Sequence, residues 1–146
     1  MAVDPAVLRD FASELGIRTE YYGSDGSFNS VPHETLHAVV GSFGYPVETN
    51  QDVDEARAAR THAYWQQTLP PVTVTRDDRD ITIPVHVPHG TSVHVDVRFE
   101  DGGGQALTQV EDNTPPFDTG AEVVGQARFL LPAGPVSYTH LRAHET

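Results

Sequence analysis

The sequence predicts an α+β fold, in which three short helices precede an antiparallel β-sandwich. In the first half of the 146-residue chain, apolar residues recur every three or four positions, as on one face of a helix. After residue 71 they recur at every second position, in short runs bounded by turn residues, as in antiparallel strands. We therefore expect a small helical subdomain over residues 1–69 and a sandwich over residues 70–134.

The helices are predicted from their ends and from their apolar faces. The first begins at Asp4-Pro5, because Asp suits the N-cap and Pro suits the first helical position. The second follows Val31-Pro32 and stops at Gly44. The third starts near residue 50 or 52 and ends before Leu69-Pro70-Pro71, since Pro cannot continue a helix. The apolar positions are Leu8, Phe11, Ala12 and Leu15, then Leu36, Val39, Val40 and Phe43, then Val53, Ala56, Ala59, Ala63 and Tyr64 or Trp65.

The strands are predicted from alternation and turn residues. A short hairpin or an irregular loop is expected where Tyr21-Tyr22 precedes the turn residues 24–27. Pro84 falls on the non-core face of an alternating run, which favours an edge strand or a bulge. The predicted sandwich strands are residues 72–75, 81–87, 93–99, 106–110 and 123–131, with Ile81, Ile83, Val85, Val87, Val93, Val95, Val97 and Phe99 facing the core.

The composition excludes several classes of function. The chain is too short for a complete (β/α)₈ barrel, which needs about 200 residues or more. All nine basic residues are Arg, and the absence of Lys removes Schiff-base chemistry and the lysine of a phosphate-binding P-loop. The net charge of −12 argues against nucleic acids and anionic membranes as partners. Without Cys there is no disulfide or thiolate zinc site. Since no long apolar stretch or signal peptide is visible, we expect a cytoplasmic protein.

Three histidines, His86, His89 and His94, invite a metal hypothesis. His86 and His94 fall on the polar faces of adjacent predicted strands, where they could meet across the ladder. No third ligand has a defined spacing, however, and a zinc site needs convergent ligands with supporting hydrogen bonds. We therefore predict solvated histidines and no bound metal.

Two loops resemble ligand-binding motifs only superficially. Gly102-Gly103-Gly104 lacks the lysine and the following helix of a phosphate loop, so it predicts a flexible hairpin tip. Asp77, Asp78 and Asp80 lack the spacing of a calcium loop and predict a turn.

Aromatic residues could form a sugar-stacking platform from Trp65, Tyr64, Tyr21 and Tyr22. Aromatic side chains at a helix end more often close a core, and we favour that interpretation. No carboxylate pair or serine stands in a recognisable catalytic setting. The residues alone therefore predict no catalytic, cofactor-binding or metal-ligating site and no cofactor.

An ordered series of short motifs nevertheless resembles a known family. The series is Leu15-Gly16-Ile17, Tyr21-Tyr22, Asp25-Gly26, residues 31–36 (VPHETL), Phe43-Gly44, residues 64–74 (YWQQTLPPVTV), residues 87–90 (VPHG) and residues 99–102 (FEDG). Over residues 5–134 it resembles the N-terminal extension of bacterial 4-α-glucanotransferases (amylomaltases, glycoside hydrolase family 77), particularly the longer actinobacterial type. The Trp-to-Leu-Pro-Pro and Glu-Asp-Gly segments are its most specific parts.

The resemblance implies an architecture and an activity for the whole protein. In this family a helical subdomain and an immunoglobulin-like β-sandwich precede a catalytic (β/α)₈ barrel, which carries an Asp nucleophile, a Glu acid/base and a transition-state-stabilising Asp. The barrel moves α-1,4-glucan segments to a sugar 4-hydroxyl with retention of configuration and without a metal or organic cofactor. None of these catalytic residues can be assigned here. The resemblance implies an incomplete sandwich and an inactive N-terminal fragment, with glucan bound by the missing barrel.

The sequence departs from the family after Gly134. There the family continues into a Gly-Tyr-His-containing strand, whereas residues 135–146 resemble a translated cloning or sequencing adaptor. We interpret residues 135–146 as a non-native tail outside the fold. The last strand before it, residues 123–131, is then expected to leave an unpaired edge that favours self-association.

Two roles remain open for the fragment itself. A positioning or interaction module predicts an apolar patch where the barrel or the missing strands would dock. A stand-alone carbohydrate-binding module predicts an exposed aromatic platform on the sandwich, where only Phe99, Phe117 and Phe129 precede the tail.

Overall fold

Helices occupy the first part of the chain and strands the second, as the periodicity predicts. The helices are α1 (Pro5–Glu14), α2 (His33–Ser42) and α3 (Asn50–Gln66). The strands are β1 (Glu20–Tyr22), β2 (Phe28–Ser30), β3 (Ile81–Pro88), β4 (Val93–Phe99), β5 (Gly104–Ala106), β6 (Thr108–Val110), β7 (Phe117–Asp118), β8 (Val123–Leu131) and β9 (Thr139–Glu145). The computed structural model describes residues 2–76, 78–134 and 139–145. The chain divides into two units, residues 1–61 and 62–146, and the division falls inside α3.

The first unit has one apolar core shared by its helices. The predicted start of α1 is confirmed, because the Asp4 side chain accepts a hydrogen bond from the N–H of Ala6 at 2.8 Å. Phe43 is 56% exposed, so its predicted place in the core is wrong; it follows the last residue of α2 and leaves the helical stripe. The buried core residues are Val3, Leu8, Phe11, Ala12, Leu36, Val40, Val47 and Val53.

The expected hairpin forms between α1 and α2. Strands β1 and β2 pair antiparallel, and Gly26 in the turn has a φ of 78°, a left-handed conformation that glycine adopts without strain. The guanidinium of Arg9 donates to the carbonyls of Thr19 at 2.9 Å and Val31 at 3.2 Å, on either side of the hairpin. Arg9 on α1 is therefore hydrogen-bonded to both ends of the hairpin.

Reciprocal hydrogen bonds cap the N-terminus of α3. The hydroxyl of Thr49 accepts from the N–H of Asp52 at 3.2 Å, and the Asp52 carboxylate accepts from the N–H of Thr49 at 2.8 Å. The carboxylate also accepts from the N–H of Glu48. These backbone donors, Glu48 first, lower the pKa of Asp52. The arrangement is a capping box, with Asp in place of the usual Glu.

The second unit is an antiparallel sandwich of two sheets, which confirms the predicted fold class. In one sheet β8 lies between β3 and β6 and also pairs with β7; in the other β4 lies between β5 and β9. The predicted core faces of β3 and β4 point inward. The core shared by the sheets consists of Val85, Val87, Val93, Val95, Val97, Leu107, Ala127 and Phe129.

The predicted strand over residues 72–75 is wrong. The carbonyl of Thr68 accepts from the N–H of His86 at 2.9 Å, so the chain meets the outer edge of β3 there. If pairing continued from that hydrogen bond in an antiparallel register, Pro70 would face Pro84, and neither residue has an N–H to donate. The ladder therefore stops, and Val72 and Val74 are 75% and 91% exposed.

The predicted strand over residues 106–110 is two strands in different sheets. The chain leaves β5 at Ala106 and enters β6 at Thr108. Leu107 lies between them with its side chain in the core and its N–H bonded to the carbonyl of Val95 at 2.8 Å. Alternation continues across such a change of sheet, so the sequence pattern does not reveal it.

The edges of the sheets differ from expectation. Strand β8, residues 123–131, is paired on both sides, so the expectation that it leaves an open edge is wrong. Strand β9 lies within residues 135–146, the predicted non-native tail, and it pairs with the whole of β4. Strand pairing is made by backbone hydrogen bonds, which every residue except proline can form. The pairing of β9 therefore does not test whether the tail is native.

Candidate functional site

A polar cluster centred on a buried histidine lies on the sheet face opposite the core of the second unit. It comprises His86 on β3, Gln126 on β8, Asp112 and Thr114 on the loop after β6, and Tyr64 on α3; we call it the His86 cluster. His86 is on the non-core face because side chains alternate along a strand, and its neighbours Val85 and Val87 are in the core. His86 is nevertheless only 5% exposed.

The last turn of α3 covers this histidine. The ring centroids of Trp65 and Tyr64 lie 4.7 Å and 4.5 Å from that of His86. Trp65 also stacks on Phe117, with centroids 5.5 Å apart and 12° between the planes. The prediction that His86 is solvated is therefore wrong, because residues distant in sequence cover a face that alternation marks as polar.

The other two histidines of the metal hypothesis behave differently from His86. His89 and His94 are exposed, as predicted. Among residues 2–76, 78–134 and 139–145, no group of three or more His, Asp or Glu residues is placed to hold a metal ion. The structure thus does not bring His86, His89 and His94 together as a ligand set.

Hydrogen bonds connect the members of the cluster. His86 contacts the carbonyl of Gln67 through Nδ1 at 2.8 Å and Oε1 of Gln126 through Nε2 at 3.0 Å. The Tyr64 hydroxyl donates to the same Gln126 oxygen at 3.1 Å. On the other side, Nε2 of Gln126 donates to Oδ2 of Asp112 at 2.8 Å and to Oγ1 of Thr114 at 3.1 Å.

Asp112 is the acidic member of the cluster, and its side chain is 6% exposed. Burial alone would raise the pKa of Asp112, but hydrogen bonds from Thr114 and Gln126 and the nearby charge of Arg128 outweigh it and lower the pKa below 3.8. The Arg128 Nε lies 3.4 Å from Oδ2 of Asp112. Asp112 is therefore an ionised carboxylate at neutral pH.

Sequence reasoning missed Asp112, Thr114 and Gln126. Gln126 occupies a non-core position of β8, where a polar residue is ordinary and carries no signal. Asp112 and Thr114 lie in an acidic, proline-containing loop that the sequence marks only as a loop. The specific Trp-to-Leu-Pro-Pro segment was the available signal, because it marks the helix end that covers the cluster.

The glycine run and the aspartate cluster are turns. Gly102 has a φ of 89°, and a Cβ on Gly104 would lie 2.8 Å from the carbonyl oxygen of Val97, so the β4–β5 hairpin requires glycine at both positions. Asp78 pairs with Arg76 at 2.9 Å. Asp80 accepts from the N–H of Ala133 at 2.7 Å. Asp77 lies outside the described residues.

The predicted aromatic platform is divided by the structure. Trp65 is 9% exposed and belongs to the packed part of the second unit, as the core interpretation predicts. Tyr21 and Tyr22, at 49% and 75% exposure, lie on the β1–β2 hairpin of the first unit, where Tyr22 meets Phe28 edge-on at 5.6 Å. Of the aromatic residues proposed for the sandwich, Phe129 is buried and Phe99 and Phe117 are partly buried.

The chemistry of the His86 cluster is that of a structural network. Its polar atoms bond to one another and to the backbone. Tyr64 meets the imidazole edge-on, and the neighbouring Trp65 packs against it with 37° between the planes. Such a network fixes the helix end on the sheet. The prediction that the chain carries no catalytic, cofactor-binding or metal-ligating residue stays a prediction. Within the described part of the chain, no helix is long and apolar enough to span a bilayer.

Comparisons with known proteins agree with this architecture. Residues 68–146 match the family model described as the MalQ N-terminal beta sandwich domain. Two relatives named 4-alpha-glucanotransferase, from Mycobacterium bovis and Mycobacterium tuberculosis, are each 37% identical to the chain over 133 residues. The match covers 90% of this chain and 18% of each relative. A crystal structure of amylomaltase from Corynebacterium glutamicum has the same fold, with a TM-score of 0.84 and 24% identity over 97% of this chain and 22% of that one.

Proposed function

We propose that this chain, which belongs to the family of the MalQ N-terminal beta sandwich domain, is the non-catalytic N-terminal part of a 4-α-glucanotransferase. The observation that carries the proposal is the extent of the match, which spans 90% of this chain but only 18% of each mycobacterial relative. In the full-length protein, α-1,4-glucan segments are transferred to sugar acceptors by the part beyond this region. The protein works in starch and maltodextrin metabolism in the cytoplasm.

The chain alone is catalytically inactive in this proposal. The test is disproportionation of maltotriose by the purified 146-residue chain, with a full-length mycobacterial relative as the positive control at equal molar concentration. We expect glucose and longer maltooligosaccharides only in the control. Turnover by the chain itself would overturn the proposal of inactivity.

The role of the region is to position the catalytic part. The test exchanges residues 1–134 of this chain for the matching region of a mycobacterial relative, and compares the chimera with a relative that lacks the region altogether. We expect the chimera to keep most of the transferase activity and the truncated relative to lose it or to precipitate. Equal activity of the truncated and full-length relatives would show that the region has no positioning role.

A stand-alone carbohydrate-binding module is the weaker alternative. The sandwich aromatics named for it are buried or partly buried, whereas stacking on a sugar needs an exposed ring face. Titration of the chain with maltoheptaose, followed by the fluorescence of Trp65, separates the two roles. Saturable binding would favour the alternative, and an unchanged spectrum is expected.

We also propose that the chain self-associates through an exposed strand edge. Since β8 is paired on both sides, the candidate edges among the described strands are those of β3 and β6 in one sheet and of β5 and β9 in the other. Sedimentation of the chain at increasing concentration tests this, and a concentration-independent monomer would exclude it. We propose no nucleic-acid and no membrane partner, in view of the net charge of −12.

The domain boundaries are proposals as well: a helical subdomain over residues 1–69, a partial sandwich over residues 70–134 and a non-native tail over residues 135–146. The genomic reading frame after Gly134 decides the matter. A Gly-Tyr-His-containing strand in place of residues 135–146 is the expected result.

A further inference from the structure

His86 faces two hydrogen-bond acceptors at once. Its Nδ1 is 2.8 Å from the carbonyl oxygen of Gln67, and its Nε2 is 3.0 Å from Oε1 of Gln126. A neutral imidazole has one N–H and one lone pair, whereas an imidazolium has two N–H groups. In the neutral form, one of these two contacts would place a lone pair against an oxygen atom.

The Gln126 side chain could remove this lone-pair repulsion if its amide rotated by half a turn and presented its nitrogen to His86. Asp112 prevents that rotation. The amide nitrogen of Gln126 lies 2.8 Å from Oδ2 of Asp112. An ionised carboxylate accepts hydrogen bonds and donates none. A reversed amide would bring its oxygen against the carboxylate at that distance, so the hydrogen-bond network itself assigns the amide orientation. Oε1 of Gln126 therefore points toward His86.

We propose that His86 is an imidazolium in the folded protein and that Asp112 dictates this state through the amide of Gln126. The charges in and beside the cluster then comprise the Asp112 carboxylate, the His86 imidazolium and the more exposed Arg128. The Trp65 ring suits a cation at this position, since its centroid lies 4.7 Å from that of His86 with 37° between the planes, and ring faces attract positive charge within about 6 Å.

The proton has a structural consequence at the end of α3. Through Nδ1 the imidazolium donates to Gln67, the first residue after the helix, and the backbone N–H of His86 donates to Thr68 at 2.9 Å. The chain is thus fixed at two consecutive carbonyls as it leaves the helix. His86 is a positioning residue that holds the exit of α3 on the sheet.

Nitrogen NMR of the 146-residue chain labelled with ¹⁵N-histidine tests the proposal. A histidine free in solution has a pKa of about 6.5 and is mostly neutral at pH 7.5. At that pH we expect both ring nitrogens of His86 to show the chemical shifts of protonated nitrogens. The His86→Gln variant identifies the signal by its disappearance. One unprotonated ring nitrogen in the folded protein would overturn the proposal.

The Asp112→Asn variant tests the role of the carboxylate. Its amide nitrogen can donate to a reversed Gln126, which can then donate to His86, so we expect the His86 signal to change to that of a neutral ring. Asp101→Asn is the control, because it removes the same charge from the β4–β5 turn and should leave His86 doubly protonated. An unchanged signal in folded Asp112→Asn would contradict the role of Asp112.

A second variant keeps the test decisive if Asp112→Asn does not fold. Gln126→Met removes the acceptor that faces Nε2 of His86, and the acceptor at Gln67 then needs only one donor. We expect a neutral His86 ring in this variant. A doubly protonated ring there would show that the acceptor pair does not set the protonation state.

Discussion

Replacement of Val95 by Ala tests the placement of the sandwich core. Val95 is 1% exposed and belongs to the core between the two sheets. The substitution removes two carbons, each worth about 0.8 kcal/mol when buried, and leaves a cavity that adds to the loss. We expect the free energy of unfolding of the second unit to fall by about 2–3 kcal/mol, a large share of the roughly 5–15 kcal/mol typical of a domain.

Val74→Ala is the matched control, because it makes the same chemical change in the same unit. Val74 belongs to a run with the same alternation as β4, but it is 91% exposed. Little apolar surface is lost there, so the free energy of unfolding should change by less than about 0.5 kcal/mol. Comparison of the two variants therefore distinguishes the effect of burial on stability from the effect of an alternating sequence pattern.

Urea unfolding followed by Trp65 fluorescence measures both variants. Trp65 is the single tryptophan of the chain and is 9% exposed within the second unit, so its emission reports that unit. Equal losses of stability in the two variants would refute the reasoning, since they would mean that residues 72–75 form a core strand. A loss below about 0.5 kcal/mol for Val95→Ala would refute the assigned core.

Further substitutions test a cap, an ion pair and a titration. Thr49→Ala should lower the stability of the first unit by about 1 kcal/mol in thermal unfolding followed by circular dichroism, whereas Thr49→Ser should retain it. Arg57→Gln removes a bond to Glu14 of 2.7 Å between side chains that are 35% and 43% exposed, so it should cost less than about 1 kcal/mol, with the difference vanishing in 1 M NaCl. Asp112 has a lowered pKa in the fold, so it contributes stability above the unfolded pKa of about 3.9 and loses it as pH falls through the folded value. In the His86→Gln background, which removes the other titratable group of the cluster, the urea midpoint between pH 7 and pH 3 should therefore fall further with Asp112 than with Asp112→Asn.

Local sequence signals predict the elements whose stability is local. The Asp4 cap and the Gly26 turn each depend on residues within a few positions, and both form as expected. Alternation also predicts the core faces of β3 and β4, since one face of each must be apolar to pack against the other sheet. The motif series gives the family, because order and spacing along a long segment are more specific than any single motif.

Local sequence signals do not predict which strand or helix packs against a given segment. Residues 72–75 alternate as well as β4 does, but they form no ladder, because Pro70 and Pro84 lack the N–H groups that continued pairing with β3 would need. Alternation places His86 on the polar face correctly, yet it cannot show that Trp65, about twenty positions earlier in the chain, covers that face. Long-range packing thus converts a surface histidine into a buried one, and this is the part of the candidate site that the sequence does not predict.

The position of Trp65 also affects where the sandwich can be separated from the rest of the chain. The change of apolar periodicity predicts a boundary at residue 70, but the second unit begins at residue 62, within α3. A recombinant sandwich that starts at residue 70 would lose the ring that stacks on Phe117 and would open His86 to water. One that starts at residue 62 keeps this helical turn, which is as much a part of the transferable sandwich as any of its strands.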